Sequence, residues 1–435
     1  MRERINVFWF RRDLRLTDNA GLFHALNHPL PVLGLFVFDT AILDELEDRN
    51  DRRVSFIYQH VRSIQRQLEQ SGSSLKIFHS TPLQAFQKII DQYEVQTVFT
   101  NEDYEPYARH SDELIESFLS KKGIAFKAFK DQVIFEKKDI AKQNGEPYQV
   151  FTPYSKKWQS RLTEEELKPF ASGKLLKNFL KAKPAPFPSL EDIGFTESTG
   201  FPGLSVGEKT IGEYHRTRDI PSLHGTSRLG IHLRFGTISI RRVVATALEL
   251  NQTFLNELIW REFFMQMLWH YPRLVNEACK KEYDQIHWRN KEEEYQAWCT
   301  GQTGYPIVDA GMRELNKTGF MHNRVRMITA SFLVKDLLID WRWGEAYFAR
   351  KLLDYELASN NGNWQWVAGC GCDAAPYFRI FNPHTQAKKF DPELNYIRKW
   401  VPELESFSYP QPIVDHEAAR ERCLKAYKTA LRKSV

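Results

Sequence analysis

The sequence has little cysteine and no long apolar run. Its five cysteines, at 279, 299, 370, 372 and 423, are odd in number and lack the spacing of a disulfide framework. No stretch of about 18 apolar residues occurs, so no membrane-spanning helix is expected. The N-terminal MRERINVFWFRRDLRL lacks the apolar segment of a secretory signal. These absences point to a reduced, cytoplasmic protein. Neither G-x-G-x-x-G nor G-x-x-x-x-G-K-S/T appears, which argues against a dinucleotide held by a Gly-rich loop. Cys370 and Cys372 have the wrong spacing for zinc, and no nearby Cys/His pair completes a site. Both read as small buried residues, and no metal is expected. Internal repeats and low-complexity tails are absent as well.

What is present is the composition of a soluble globular chain, 42% apolar and 26% charged. At 435 residues it is too long for one ordinary core. A net charge of +5 is mildly basic, which suits a nucleic-acid binder but also many enzymes. Of 11 tryptophans, nine lie from Trp260 onward, more indoles than a core needs.

Residues 1–132 alternate short apolar runs with amphipathic stretches. Asn6–Phe10, Val32–Phe38, Leu75–Phe78, Thr97–Thr100 and Phe126–Phe129 read as buried strands, with helices at Asp18–Leu26, Arg52–Gln70, Pro82–Tyr93 and Arg109–Lys121. That alternation predicts a Rossmann-like parallel sheet covered by helices. Residues 133–202, punctuated by proline and rich in lysine, read as a connector wrapped on the surface. Residues 203–435 read as an all-α domain, with helices at Ile240–Leu250, Leu255–Trp269, Tyr305–Leu315, Asn323–Ile339 and Ala346–Leu353.

Four stretches carry candidate chemistry. HGTSRLG, 224–230, suits a turn whose N–H groups and hydroxyls hold phosphate, or else Thr226 or Ser227 caps the next helix. In LNELIWREFF, 255–264, Glu257, Trp260 and Arg261 share one helical face, as a site floor or as a half-exposed face with a Glu–Arg pair. In MHNRVRM, 321–327, Asn323 and Met327 are one turn apart with Arg326 beside them, while His322 reads as a structural histidine. In DYELASNNGNWQW, 354–366, Asn360 and Trp364 share a face and Trp366 points away, so the two indoles could serve different cavities or simply fill core.

Together with FWFRRDLRLTDN, TGYPIVDAGMRELNKTGF, SFLVKDLLIDWRWGE and DAAPYFRIFNP, these segments resemble the photolyase/cryptochrome flavoproteins, and most closely the class I cyclobutane pyrimidine dimer photolyases. The resemblance spans nearly the whole chain. It implies an N-terminal antenna domain, a connector, and a helical domain that holds FAD. It assigns FAD contacts to Tyr214, Thr226, Ser227, Arg228, Leu229, Arg261, Arg326, Asp354, Glu356 and Asn360, with Thr226 and Ser227 on phosphate and Asn360 at flavin N5. It assigns the pocket for a flipped-out dimer to Glu257, Trp260, Asn323, Met327 and Trp366, and a DNA contact to Arg218. It assigns an electron-transfer chain to Trp364, Trp341 and Trp288. The implied reaction is light-driven repair of pyrimidine dimers in UV-damaged DNA by a monomeric lyase, with reduced FAD as electron donor. An antenna chromophore, methenyltetrahydrofolate or a deazaflavin, is also implied, and Tyr107-Ala108 stands where folate-binding relatives show Asn-Glu. Glu356 stands where close relatives carry Asp. The alternatives are a blue-light photoreceptor without repair activity and a (6-4) photolyase; for the latter, Asn323 replaces the second histidine of the expected pair, and for the former no long tail follows the helical domain. A plain FAD-dependent oxidoreductase is a more distant alternative, since no nicotinamide-binding loop is visible.

Overall fold

The five apolar runs near the N-terminus do form strands in the computed structural model, which describes residues 2–204 and 207–432. The strands are β1 (Arg4–Phe10), β2 (Val32–Asp39), β3 (Leu75–Ser80), β4 (Glu94–Asn101) and β5 (Ala125–Phe129). All pair in parallel, in the order β3-β2-β1-β4-β5, with Phe8 opposite Gly34 on one side and Phe99 on the other. Parallel strands need crossovers, and helices α1 (Ala20–Leu26), α2 (Arg52–Gln70), α3 (Pro82–Gln92) and α4 (Pro106–Ser120) supply them. β1 is central and buried on both faces, so it reads as a continuous apolar run and not as an alternation. One face of the sheet packs Val7, Leu35 and Val98 against Phe86, Ile89 and Ile115. The order reverses at β1, so β1 and β4 leave the sheet in opposite directions of winding and their carboxyl ends meet at a switch point.

Two compact units divide the chain. The first comprises residues 1–136, 161–206 and 228–246; the second comprises 137–160, 207–227 and 247–435. The proline-rich stretch 133–202 is thus shared between them. Within it lies a helix absent from the sequence reading, α5 (Phe151–Arg161). Pro153 is tolerated there because the first turn of a helix has no intrahelical use for its N–H groups.

The second unit is helical. Its elements of interest are α6 (Gln252–His270), α7 (Pro306–Thr318), α8 (Asn323–Ser331), α9 (Trp341–Lys351), α10 (Leu357–Ala368) and α11 (His416–Arg432). The single helix expected over 323–339 is instead α8 followed by a π-helical turn, Phe332–Asp336, whose five residues are all buried. Trp298, Trp341, Tyr396 and Tyr427 are among the largest buried side chains of this unit. Among the described residues no helix is long and apolar enough to cross a membrane.

The cysteines require a correction. Cys372 is joined to Cys279 in a disulfide, 93 residues away, a pairing that spacing could not reveal. Cys370 is a free, buried thiol, as are Cys299 and Cys423. Burial pushes the Cys370 thiol up to about 12, so it stays protonated and unreactive.

Candidate active site

Helices α6, α8 and α10 bring most of the candidate residues to a single cavity of the second unit, about 350 Å³ in volume. Arg218, Glu257, Trp260, Arg261, Asn323, Arg326, Met327, Asp354, Glu356, Asn360, Trp364 and Trp366 all line it. Trp364 and Trp366 therefore border one cavity. Trp364 is buried on the α9 side, where Gly344 leaves no room for a Cβ against its indole. Trp366 is half-buried, with the Arg379 guanidinium 5.5 Å from its ring centre.

Three ion pairs frame the space, and none is the Glu257–Arg261 pair that helical spacing offers. Glu257 accepts from Arg218 at 2.6 Å, Arg261 donates to Glu356 at 3.1 Å, and Arg326 donates to both oxygens of Asp354 at 2.9 and 3.1 Å. Each arginine of α6 and α8 thus reaches off its own helix, which spreads charge around the wall. Burial raises the Glu257 carboxyl above its ordinary value, and the Arg218 guanidinium offsets this only in part. Glu356 stands at the N-cap of α10 and also accepts from Ser359 at 3.1 Å. Asn360 donates to the Glu345 carbonyl at 3.1 Å and to its carboxylate at 2.9 Å. Both amide N–H donors are used, so an acceptor is what Asn360 has left for a ligand. Burial raises Glu345, against the Asn360 hydrogen bond.

Trp260 is held by other rings. Phe151 lies flat on one face, ring centres 3.7 Å apart and planes 5° from parallel. Phe264, one turn along α6, lies 5.4 Å away at 30° and also lines the cavity. Gly362 of α10 has no space for a Cβ against Phe264, which is how two helices approach closely enough to share this wall.

Other candidates lie outside the cavity lining. Tyr214 packs edge-on against Phe254 at 5.2 Å, with Arg218 5.3 Å over its ring. The helix after Thr226 and Ser227 starts at Gly230, with Leu229 at its N-cap position. Arg228, in a left-handed conformation at φ 52°, and buried Leu229 belong to the first unit. Trp341 is buried in the core cluster that contains Trp364, and half-buried Trp288 packs against that cluster. His322 caps α8, its ring nitrogen accepting from the Arg324 N–H at 3.2 Å, as a structural histidine would. Sequence reasoning missed Phe264, Ser359 and Asn363, although each lies one turn from a residue it found, and it missed Phe151 and Glu345, for which no local signal exists.

The site's donors suit a flavin. An arginine–carboxylate pair, an amide with a spare acceptor and a buried indole surround a space bounded by flat rings. Comparison with known proteins agrees. The family model described as the FAD binding domain of DNA photolyase matches residues 254–408, and the DNA photolyase model matches residues 6–173. A deoxyribodipyrimidine photo-lyase of Synechococcus sp. is 36% identical, covering 99% of this chain and 97% of that protein. The crystal structure of a class III photolyase from Agrobacterium tumefaciens superposes with a TM-score of 0.87 at 32% identity, covering 99% of this chain and 98% of that one. The Synechocystis cryptochrome structure superposes with a TM-score of 0.84 at 26% identity, covering 98% of this chain and 99% of that one.

Proposed function

The chain belongs to the DNA photolyase and cryptochrome family, and from that premise we propose that it binds FAD and repairs cyclobutane pyrimidine dimers in DNA under blue light. One observation supports this most. The residues suited to a flavin (Arg326, Asp354, Asn360) and those suited to a damaged base (Glu257, Trp260, Trp366) face the same cavity. A site that only bound FAD would not need an acid and two indoles on its open side.

Arg261, Arg326, Asp354, Glu356 and Asn360 would hold the cofactor, with Tyr214, Thr226 and Ser227 nearer its phosphates. The chemistry that FAD supplies when bound and reduced is light-driven one-electron donation. The protein's share is to bind, orient and shield. A linked pyrimidine pair must leave the duplex to reach a recessed site, and its damaged stacking lowers the cost. Trp366 and the open side of Trp260 would receive the flipped rings, where stacking is worth about 1–3 kcal/mol per base. Asn323 and Met327 close the rim. Glu257 keeps the oxygen that does not face Arg218 as an acceptor for a pyrimidine N–H. Trp364, Trp341 and Trp288 run from buried to half-exposed positions, an order suited to carrying an electron inward from solvent.

The test is direct. FAD-loaded, chemically reduced protein is mixed with dimer-containing DNA, illuminated at blue wavelengths, and the DNA is assayed for restored thymines. Repair that needs light and reductant is the expected result. Flavin binding without restored thymines would favour the photoreceptor reading. Trp364→Phe should stop light-driven reduction of oxidised FAD yet spare repair by pre-reduced protein.

A further inference from the structure

We propose that Phe151 is a positioning residue for Trp260: it sets the plane in which the indole meets a flipped-out base. The inference rests on the repair reading above. The stack itself, 3.7 Å and 5°, is the first observation. The second is how α5 is attached along α6. Phe151, Tyr154 and Trp158 recur at helical spacing and meet one turn of α6, residues 260–263. Tyr154 is buried and lies 5.2 Å from Phe263, and the Trp158 indole N–H donates to Glu262 at 2.6 Å. These two deeper contacts fasten the helix. Phe151, at its first turn, is only half-buried and is the most exposed of the three.

The third observation is the anchor of Phe151. Its backbone N–H donates to the Asp373 carboxylate at 2.9 Å, and Asp373 follows Cys372, which is cross-linked to Cys279. The stacking ring is therefore tied at its backbone to a braced loop. A half-buried tryptophan beside a cavity has several rotamers to choose from, and a ligand that needs one of them must order it on binding. A ring stacked flat on one face selects that rotamer beforehand. Offset-stacked and edge-to-face aromatic pairs are favourable beyond the area they bury.

A double-mutant cycle read by DNA binding tests this. FAD-loaded parent, Phe151→Leu, Phe151→Tyr, Trp260→Ala and the Phe151→Leu/Trp260→Ala double variant are titrated in the dark. The probes are a duplex carrying one thymine dimer and the same duplex undamaged; FAD per chain is measured by absorbance. Phe151→Leu should weaken dimer binding by about 3- to 10-fold, with FAD per chain unchanged, and Phe151→Tyr should stay within about twofold of the parent. In the Trp260→Ala background, Phe151→Leu should have no further effect. An equal loss in both backgrounds would overturn the proposal, as would loss of FAD with Phe151→Leu or dimer binding at the parent level. A parent that does not discriminate the dimer from undamaged DNA would instead overturn the repair reading.

Discussion

Both units gather arginines and carboxylates in one place, and the two clusters have opposite characters. In the first unit, at the carboxyl ends of β1, β4 and β5, Asp131 lies between Arg15 at 2.6 Å and Arg241 at 2.8 Å, all three nearly inaccessible. Asp13 beside it accepts from the Arg11 N–H at 2.7 Å and the Asn101 amide at 2.6 Å. In the second unit, Arg218–Glu257, Arg261–Glu356 and Arg326–Asp354 stand around a cavity, and two of the three pairs keep more than a fifth of each side chain exposed. The first cluster spends its hydrogen-bonding capacity on itself; the second keeps some of it facing open space. Ion pairing alone therefore does not mark a functional site. Among open α/β sheets the strand ends are where ligands usually bind, yet here the charges at those ends serve the fold.

The largest expected effect comes from opening the closed cluster. Asp131→Ala leaves the Arg15 guanidinium buried without a carboxylate and Arg241 with Asp18 alone, and should cost about 3–5 kcal/mol of stability, read by urea unfolding. A loss below about 1 kcal/mol, the range of exposed pairs, would break the comparison. Next comes the open cluster. Arg326→Leu should change stability by less than about 1 kcal/mol, because its partner Asp354 is partly solvated. The affinity for FAD should fall by about 10- to 100-fold, the worth of a hydrogen bond to a charged group, in a titration of the apoprotein. Unchanged affinity would mean that Arg326 and Asp354 serve only the fold.

The comparison also explains what the sequence could and could not show. The sheet was legible because its central strands β1 and β2 are nearly continuous apolar runs and the others are short apolar stretches between helical patterns. Glu257, Trp260 and Arg261 were legible as a face because they share one helix, as were Asn360 and Trp364. What lay hidden was every relation between distant segments. Glu257 pairs with Arg218, 39 residues away, and not with its helical neighbour. The ring that covers Trp260 comes from a stretch whose prolines read as a connector, and Pro153 conceals α5 because its place in the first turn cannot be seen before the helix is known. The buried Arg15–Asp131–Arg241 cluster joins three regions more than 100 residues apart in sequence.

The finest prediction sets the two clusters against each other by pH. Burial pushes Asp131 upward, but Arg15 and Arg241 outweigh it and hold the carboxyl below its ordinary 3.8. Between its folded value and 3.8 the unfolded chain binds more protons, so the stability Asp131 contributes is present above that window and is lost as pH falls through it. Glu257 has the opposite sign. Burial holds it above its ordinary 4.5, so in the window above 4.5 the native state keeps the proton that the unfolded chain has lost, and stability declines as pH rises. Glu257→Gln removes that decline. Its stability relative to the parent should therefore grow between pH 4 and pH 7, by less than about 1 kcal/mol because the side chain is about a third exposed. Urea unfolding at the two pH values measures it. A relative stability that shrinks over the same interval would mean that Arg218 outweighs burial at Glu257, and the cavity's acid would then behave as Asp131 does in the closed cluster.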